Sequence, residues 1–217
     1  MSGALLVVTA VEAEAAAVRA GLTTDSVTVV PVGVGSAVAA ATTARLLALA
    51  ESAGRPYRGV VCAGIGGGVV GRAPVGATVL ATRSVVADLG AESPDGFIPV
   101  DQLGMPPDQL GAPPSIATDP ALTAMLRDAL PDAVPGAILT VSTVTGTAER
   151  ARTLTRRHPD AVAEGMEGYG VACAATGAKV PFAELRTVSN PIGPRDRTAW
   201  RMREALAALT AAAAALR

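Results

Sequence analysis

Six short β-branched runs, separated by longer stretches rich in Ala and Leu, constrain this chain more than any other feature. The runs are LLVVTA, SVTVVPVG, GVVCAG, GATVLATRSVVAD, GAILTVSTV and FAELRTVSN. Strands that alternate with helical patterns build a sheet covered on its faces, so the expected fold is α/β: a central mixed, twisted β-sheet flanked by helices. Helices are expected over residues 36–52, 120–130 and 164–176, and from 197 to the C-terminus. Residues 90–114 are dense in Gly, Pro and Asp, and a loop of that length inside a compact domain is usually functional, as a lid or part of a subunit contact. With 217 residues, 50% of them apolar, the chain can bury one sizeable core, and a single domain over 1–217 is expected.

Charge narrows the partners. There are 18 basic against 19 acidic residues, so no electrostatic footprint argues for nucleic acid or an anionic membrane, and a small, nearly neutral ligand fits better. The N-terminal MSGALLVVTAVEAEAAAV lacks the basic region of a secretory signal. The Ala-rich tail TAAAAALR is too short to span a bilayer, and a cytoplasmic protein is expected. Cys62 and Cys173 lie far apart in apolar contexts, which suits buried bystander thiols in a reducing compartment. His158 has no second His near it, so a zinc site or a Ser-His-Asp triad lacks material. Neither metal nor cofactor is expected.

Four groups of residues stand at expected strand ends, where α/β folds place their ligand sites. Glu12 and Glu14 follow the first strand, where the blandest role is an acidic first turn of a helix. The cluster CAGIGGGVVGRAPVG contains a G-x-G-x-x-G at Gly66, Gly68 and Gly71, but Pro74, Gly76 and a strand follow where a dinucleotide site needs a helix. Glycines at a strand end still let a ribose or an anion approach the backbone. Glu164 and Glu167 lie in AEGMEGYGVACAA, with Glu167 opening an apolar helix as a diol ligand or as a cap. RTVSNPIGPRDR ends a strand at Ser189 and Asn190, where Asn is most often turn chemistry.

Taken together, in this order and spacing, TAVEAEAAAV, VGVGSAVAAA, CAGIGGG, GMEGYGVA and RTVSNPIGPRDR resemble the nucleoside phosphorylase and nucleosidase superfamily, most closely its branch of futalosine hydrolases. The resemblance covers nearly the whole chain. It implies a nucleoside phosphorylase-like fold, a small-molecule nucleoside as substrate, and a homo-oligomer, either a dimer or a tetramer. Residue by residue, it implies Glu14 as the group that activates the attacking water, Met166 beneath the ribose, Glu167 on the ribose hydroxyls, and Asn190 at N7 and the six-substituent of a purine. Gly64, Ile65 and Gly66 fall at the strand end that meets the sugar, and Thr145 and Gly146, within STVTGT, fall where the family contacts the base.

Two departures sharpen what the resemblance implies. Relatives that cleave 6-aminopurine nucleosides carry Asp where this chain has Asn190. A carboxamide suits a 6-oxopurine instead, donating to O6 while its oxygen accepts from N7–H, so the implied leaving group is hypoxanthine. Phosphorolytic relatives place Arg and Ser where this chain has Cys62 and Ile65; a thiol and a hydrocarbon cannot neutralise phosphate, and water is the implied nucleophile. The substrate so implied is futalosine, an intermediate on a route to menaquinone, whose carboxylated aryl ketone lies beyond the 5′ carbon. Arg195 and Arg197 are candidate cations for that end, and Phe97 with the 90–114 loop is a candidate to close it, in the same or a neighbouring subunit. The alternatives are a methylthioadenosine or adenosylhomocysteine nucleosidase, a purine nucleoside phosphorylase, and a nucleoside-sensing domain without catalysis.

Overall fold

The computed structural model describes residues 3–217. Its first strand, β1 (Leu5–Thr9), is buried at every position. Leu5 and Val7 join one core cluster while Leu6 and Val8 join another, so both faces of the sheet are covered and the strand reads as a continuous apolar run. α1 (Glu12–Gly21), β2 (Val27–Pro31), α2 (Ser36–Ser52), β3 (Gly59–Gly68) and β4 (Thr78–Val86) follow. The segment read as a long loop holds a small hairpin, β5 (Gly90–Ser93) with β6 (Gly96–Pro99), and leads through two 3-10 turns to β7 (Ser115–Ala117). The remainder is α3 (Pro120–Ala129), β8 (Val134–Thr140), α4 (Ala148–Arg157), β9 (Ala161–Gly165), α5 (Gly168–Gly177), β10 (Phe182–Pro191) and α6 (Met202–Ala213).

The chain is an α/β domain whose mixed sheet bends round on itself. β1 joins β2 and β3 in parallel, and β3 continues as the long parallel partner of β10. β10 is antiparallel to β4, β4 is parallel to β8, β8 is parallel to β9, and β9 returns antiparallel to the end of β3 at Gly67 and Gly68. Five strands therefore form a ring, with β1 and β2 as a flap extending from it. One face packs Val18, Leu122, Leu126 and Leu209 from α1, α3 and α6, and the other packs Leu47, Tyr169, Val171 and Ala172 from α2 and α5. α2 and α5 lie so close that a methyl on Gly170 would overlap the Ser36 carbonyl, which accounts for small residues in both helices. Among the described residues no helix is long and apolar enough to cross a membrane.

Helix ends follow local chemistry where the sequence supplies a cap. Asp119 accepts from Leu122 N at 2.8 Å with Pro120 at the first helical position, and Thr147 caps α4 by accepting from Arg150 N at 3.1 Å. α4 was not expected from the sequence because its AERARTLTRR buries only Leu154, leaving no apolar stripe to read. The helix expected over 164–176 begins at Gly168 instead: AVAEG is a fully buried strand, and the two glutamates stand on either side of the turn between β9 and α5. The C-terminal helix likewise starts at Met202, after a 3-10 turn over Arg197–Ala199 capped by Asp196.

Candidate active site

Where the carboxyl ends of β1, β3, β9 and β10 meet, the glycine-rich end of β3 opens a cleft of about 320 Å³. Glu14 enters it from α1. Its Oε2 accepts from Ala10 N at 2.9 Å and Val11 N at 3.2 Å, and its Oε1 accepts from Ile65 N at 2.9 Å. The first two bonds are a helix-capping arrangement, so the bland role of this residue and its place in the cleft are the same geometry. Glu12 points away to the surface and pairs with Arg19 at 2.5 Å. Gly64 admits Glu14, because a Cβ there would lie 2.6 Å from Glu14 Oε1.

Glu167 stands at the start of α5. Its Oε1 accepts from Gly35 N at 3.2 Å, and its Oε2 accepts from Met166 N at 3.3 Å and from Arg186 Nη1 at 3.2 Å. Gly35 reaches it with φ of 94°, a conformation that side chains rarely adopt. Beneath both carboxylates lies Arg186 of β10, 1% exposed. Its Nε donates to Glu184 Oε1 at 3.0 Å, Nη1 also reaches the Ile65 carbonyl at 3.4 Å, and Nη2 donates to Cys62 Sγ at 3.2 Å. Ser84 Oγ donates to the other oxygen of Glu184. Burial opposes the Arg186 charge, but the carboxylates of Glu184, Glu167 and Glu14 around it hold the guanidinium protonated. Burial also raises the Cys62 thiol well above its usual value, so the carboxylates supply the counter-charge and the neutral sulfur only accepts. Burial raises the Glu184 carboxyl too, with Arg186 and Ser84 opposing.

Farther along β3, the bulge in the β10 register after Val188 turns Ser189 and Asn190 toward the cleft. The Ser189 hydroxyl lies 2.9 Å from Asn190 Oδ1 and 3.2 Å from the Gly66 carbonyl, and Asn190 Nδ2 donates to the Pro191 carbonyl at 3.0 Å. Glu164, on the last turn of β9's path into the cleft, accepts from Thr145 N at 2.8 Å. A methyl on Gly67 would touch Glu164 Cγ at 3.3 Å and Asn190 Nδ2 at 3.6 Å, so these two side chains converge on one patch of backbone. Trp200 and Arg195 complete this side, with the guanidinium 5.3 Å from the indole centroid.

The structure thus brings Glu14, Ile65, Gly66, Thr145, Met166, Glu167, Asn190 and Arg195 into one lining. Gly64 lies directly under Glu14, and Gly146 packs on the Arg195 stem, its added Cβ falling 3.2 Å from Arg195 Cγ. Phe97 is not in the lining: the β5–β6 hairpin carries it against Arg157, whose guanidinium lies 4.1 Å from the ring centroid. Arg197 also stays outside the lining, over the indole of Trp200 at 5.7 Å. Cys62 is buried as expected, but it touches the carboxylate network through Arg186 instead of being a bystander. Sequence reasoning missed Arg186, Glu184 and Trp200. The signal for the first two was present in FAELRTV, where two charges two residues apart fall on one face of an apolar strand.

The phosphorylase superfamily model matches residues 4–217, and the chain belongs to that superfamily. The members it belongs with are the futalosine hydrolases. It is 53% identical over 178 residues to futalosine hydrolase of Streptomyces coelicolor, spanning 82% of this chain and 73% of that protein. To futalosine hydrolase of Acidothermus cellulolyticus it is 48% identical over 230 aligned residues, spanning 100% and 91%. Among solved structures, 5′-methylthioadenosine/S-adenosylhomocysteine nucleosidase from Neisseria meningitidis superposes with a TM-score of 0.81 at 20% identity, over 99% of this chain and 98% of that one. Futalosine hydrolase of Helicobacter pylori superposes with 0.75 at 17% identity, over 97% and 95%. At such identities the likeness is one of fold.

Proposed function

We propose that this chain hydrolyses the N-glycosidic bond of futalosine, releasing hypoxanthine. The observation that carries the reading is that a chain 53% identical to one futalosine hydrolase aligns Glu14 and Asn190 along a single strand of one cleft. Glu14 sits over Gly64 and Asn190 beside Gly67. Both line the same cleft, so a nucleoside lying in it can meet Glu14 with its ribose and Asn190 with its purine.

In this reading a water between Glu14 and C1′ gives its proton to Glu14 as its oxygen bonds to C1′. The C1′–N9 bond breaks with its electron pair passing to the purine, and the carboxylates of Glu14 and Glu167 stabilise the positive charge that gathers on the ribosyl ring. Arg186 and Gly35 fix Glu167 to meet the ribose hydroxyls, with Met166 beneath the sugar. Asn190 offers its amide to O6 and N7–H of hypoxanthine. The indole of Trp200 and the Arg195 guanidinium supply an aromatic face and a cation for the carboxylated aryl group. Water as nucleophile agrees with a neutral Cys62 and an apolar Ile65, where a phosphate would need donors and charge. The enzyme so read works in the cytoplasm on the route to menaquinone. It does so as a homo-oligomer, as membership of the superfamily suggests, and the exposed Val34 at the cleft offers a second copy an apolar contact.

Product analysis tests the reading. Purified protein incubated with futalosine, inosine and methylthioadenosine, with and without phosphate, is expected to release hypoxanthine from futalosine at a rate independent of phosphate. Adenine from methylthioadenosine as the main product, or a strict need for phosphate, overturns it. Asn190→Asp is expected to lose about ten- to a hundredfold in kcat/KM on futalosine, corresponding to about 1–3 kcal/mol for a polar group left unpaired against O6. Steady-state kinetics on futalosine and its 6-amino analogue check that loss and its direction.

A further inference from the structure

The amide of Asn190 can hold a protonated purine nitrogen but has no acidic proton to supply. Glu164 stands beside it and is used by nothing in the mechanism above. It is 5% exposed, on a strand locked by pairing with Gly67 of β3 and Leu139 of β8. Its Oε1 accepts the Thr145 N–H, while its Oε2 is buried with no hydrogen-bond partner among the described residues, although the side chain lines the cleft. An ionised oxygen buried without a donor is costly, whereas a carboxylic O–H facing a ligand acceptor is not.

The three cleft glutamates are provided for differently. Glu14 receives three backbone N–H bonds, and Glu167 receives two together with the Arg186 guanidinium. Glu164 receives one N–H and no ion pair. The charged groups facing it are Arg150 of α4 and Asp88 after β4, with Arg195, Glu14 and Glu167 elsewhere in the same cleft. Burial raises its carboxyl above the ordinary glutamate value, with the Thr145 hydroxyl, the Thr145 N–H and Arg150 opposing and Asp88 adding to the rise. A buried carboxyl that its surroundings raise and that lines a ligand cleft is the kind of group enzymes use as an acid.

We propose that Glu164 is the general acid of the reaction, passing its carboxylic proton to N7 of the departing purine. The inference rests on the hydrolase reading above. As the C1′–N9 pair of electrons enters the ring, N7 takes the proton from Glu164 Oε2 and the base leaves neutral. Water has meanwhile bonded to C1′ and left its proton on Glu14. Solvent then reprotonates Glu164 and accepts the proton held by Glu14, so each turnover consumes one water and returns both carboxyls to their starting states. Asn190 acts beside the acid, holding O6 and the new N7–H.

The test compares wild type with Glu164→Gln, which keeps the shape and the acceptor for Thr145 N–H, across pH and on two substrates. One is futalosine. The other is its 7-methylated analogue, whose cationic base leaves without being protonated. The wild-type kcat for futalosine is expected to fall on the alkaline side as Glu164 ionises, a limb read without any variant. Glu164→Gln is expected to lose that limb and to lower kcat on futalosine by about 10²–10⁴-fold, with less than about a tenfold loss on the methylated substrate. Equal losses on both substrates, a kcat on futalosine within tenfold of wild type, or persistence of the alkaline limb in the variant overturns the proposal. If wild type releases no hypoxanthine from futalosine, it is the hydrolase reading that fails.

Discussion

Glu14→Gln is expected to lower kcat on futalosine by about 10²–10⁴-fold with little change in KM, the usual worth of one positioned proton acceptor. The side chain is trapped between the N–H groups of Ala10 and Val11 on one oxygen and that of Ile65 on the other. A carboxylate satisfies both sides. A carboxamide presents its NH2 to one of them and leaves at least one buried N–H without an acceptor, at about 1–3 kcal/mol. The variant should therefore fold, with a lowered unfolding midpoint, and bind substrate while turning it over slowly. Single-turnover kinetics beside denaturant unfolding check both statements, and a rate near that of wild type removes Glu14 from the mechanism.

The largest effect on stability is expected at Arg186. Replacing it with Met leaves Glu184 and Glu167 without their cation inside the protein, and breaking a buried pair in this way costs about 3–5 kcal/mol. That is a large share of the roughly 5–15 kcal/mol that holds a typical domain together. Arg186→Lys should rescue only part of it, because one ammonium group cannot reach Glu184, Glu167, the Ile65 carbonyl and Cys62 from the directions that the planar guanidinium serves. Urea unfolding of the two variants reads the order wild type, Lys, Met. A Met variant as stable as wild type shows that the network contributes nothing net to the fold.

The strands β1, β2, β3, β4, β8 and β10 and the long helix over Ser36–Ser52 were legible because burial on one or both faces writes its period into the sequence. Glu14, Glu167 and Asn190 were legible as residues set at strand ends in recurring motifs, and the structure brings all three to one cleft. What failed did so for physical reasons. α4 has one buried side chain and its cap, Thr147, sits in a polar run that resembles a loop. Glu164 and Glu167, three apart, imitated a helical face while standing on a strand and on a helix start. For Arg186 the sequence shows only a charge pair on an apolar strand; what that pair does lies in the groups that converge on it from β3 and the start of α5, and no local pattern records contacts from distant parts of a chain. Phe97 lies outside its own chain's cleft, because an aromatic in a Gly- and Pro-rich loop carries no information on which way its hairpin folds.

The ring of five strands is completed by β10, which inserts between β3 and β4 although it comes last among the strands. The same ten residues bring Arg186, Ser189 and Asn190. During synthesis, a chain whose residues up to Val180 have emerged owns most of its helices but has an unpaired β3 edge and no floor beneath Glu14. Contacts so remote in sequence form late and slowly. A chain lacking β10 is therefore expected to expose sheet edges and to lack Asn190 and the cation beneath Glu14, so the strand that completes the site is also the one that covers those edges.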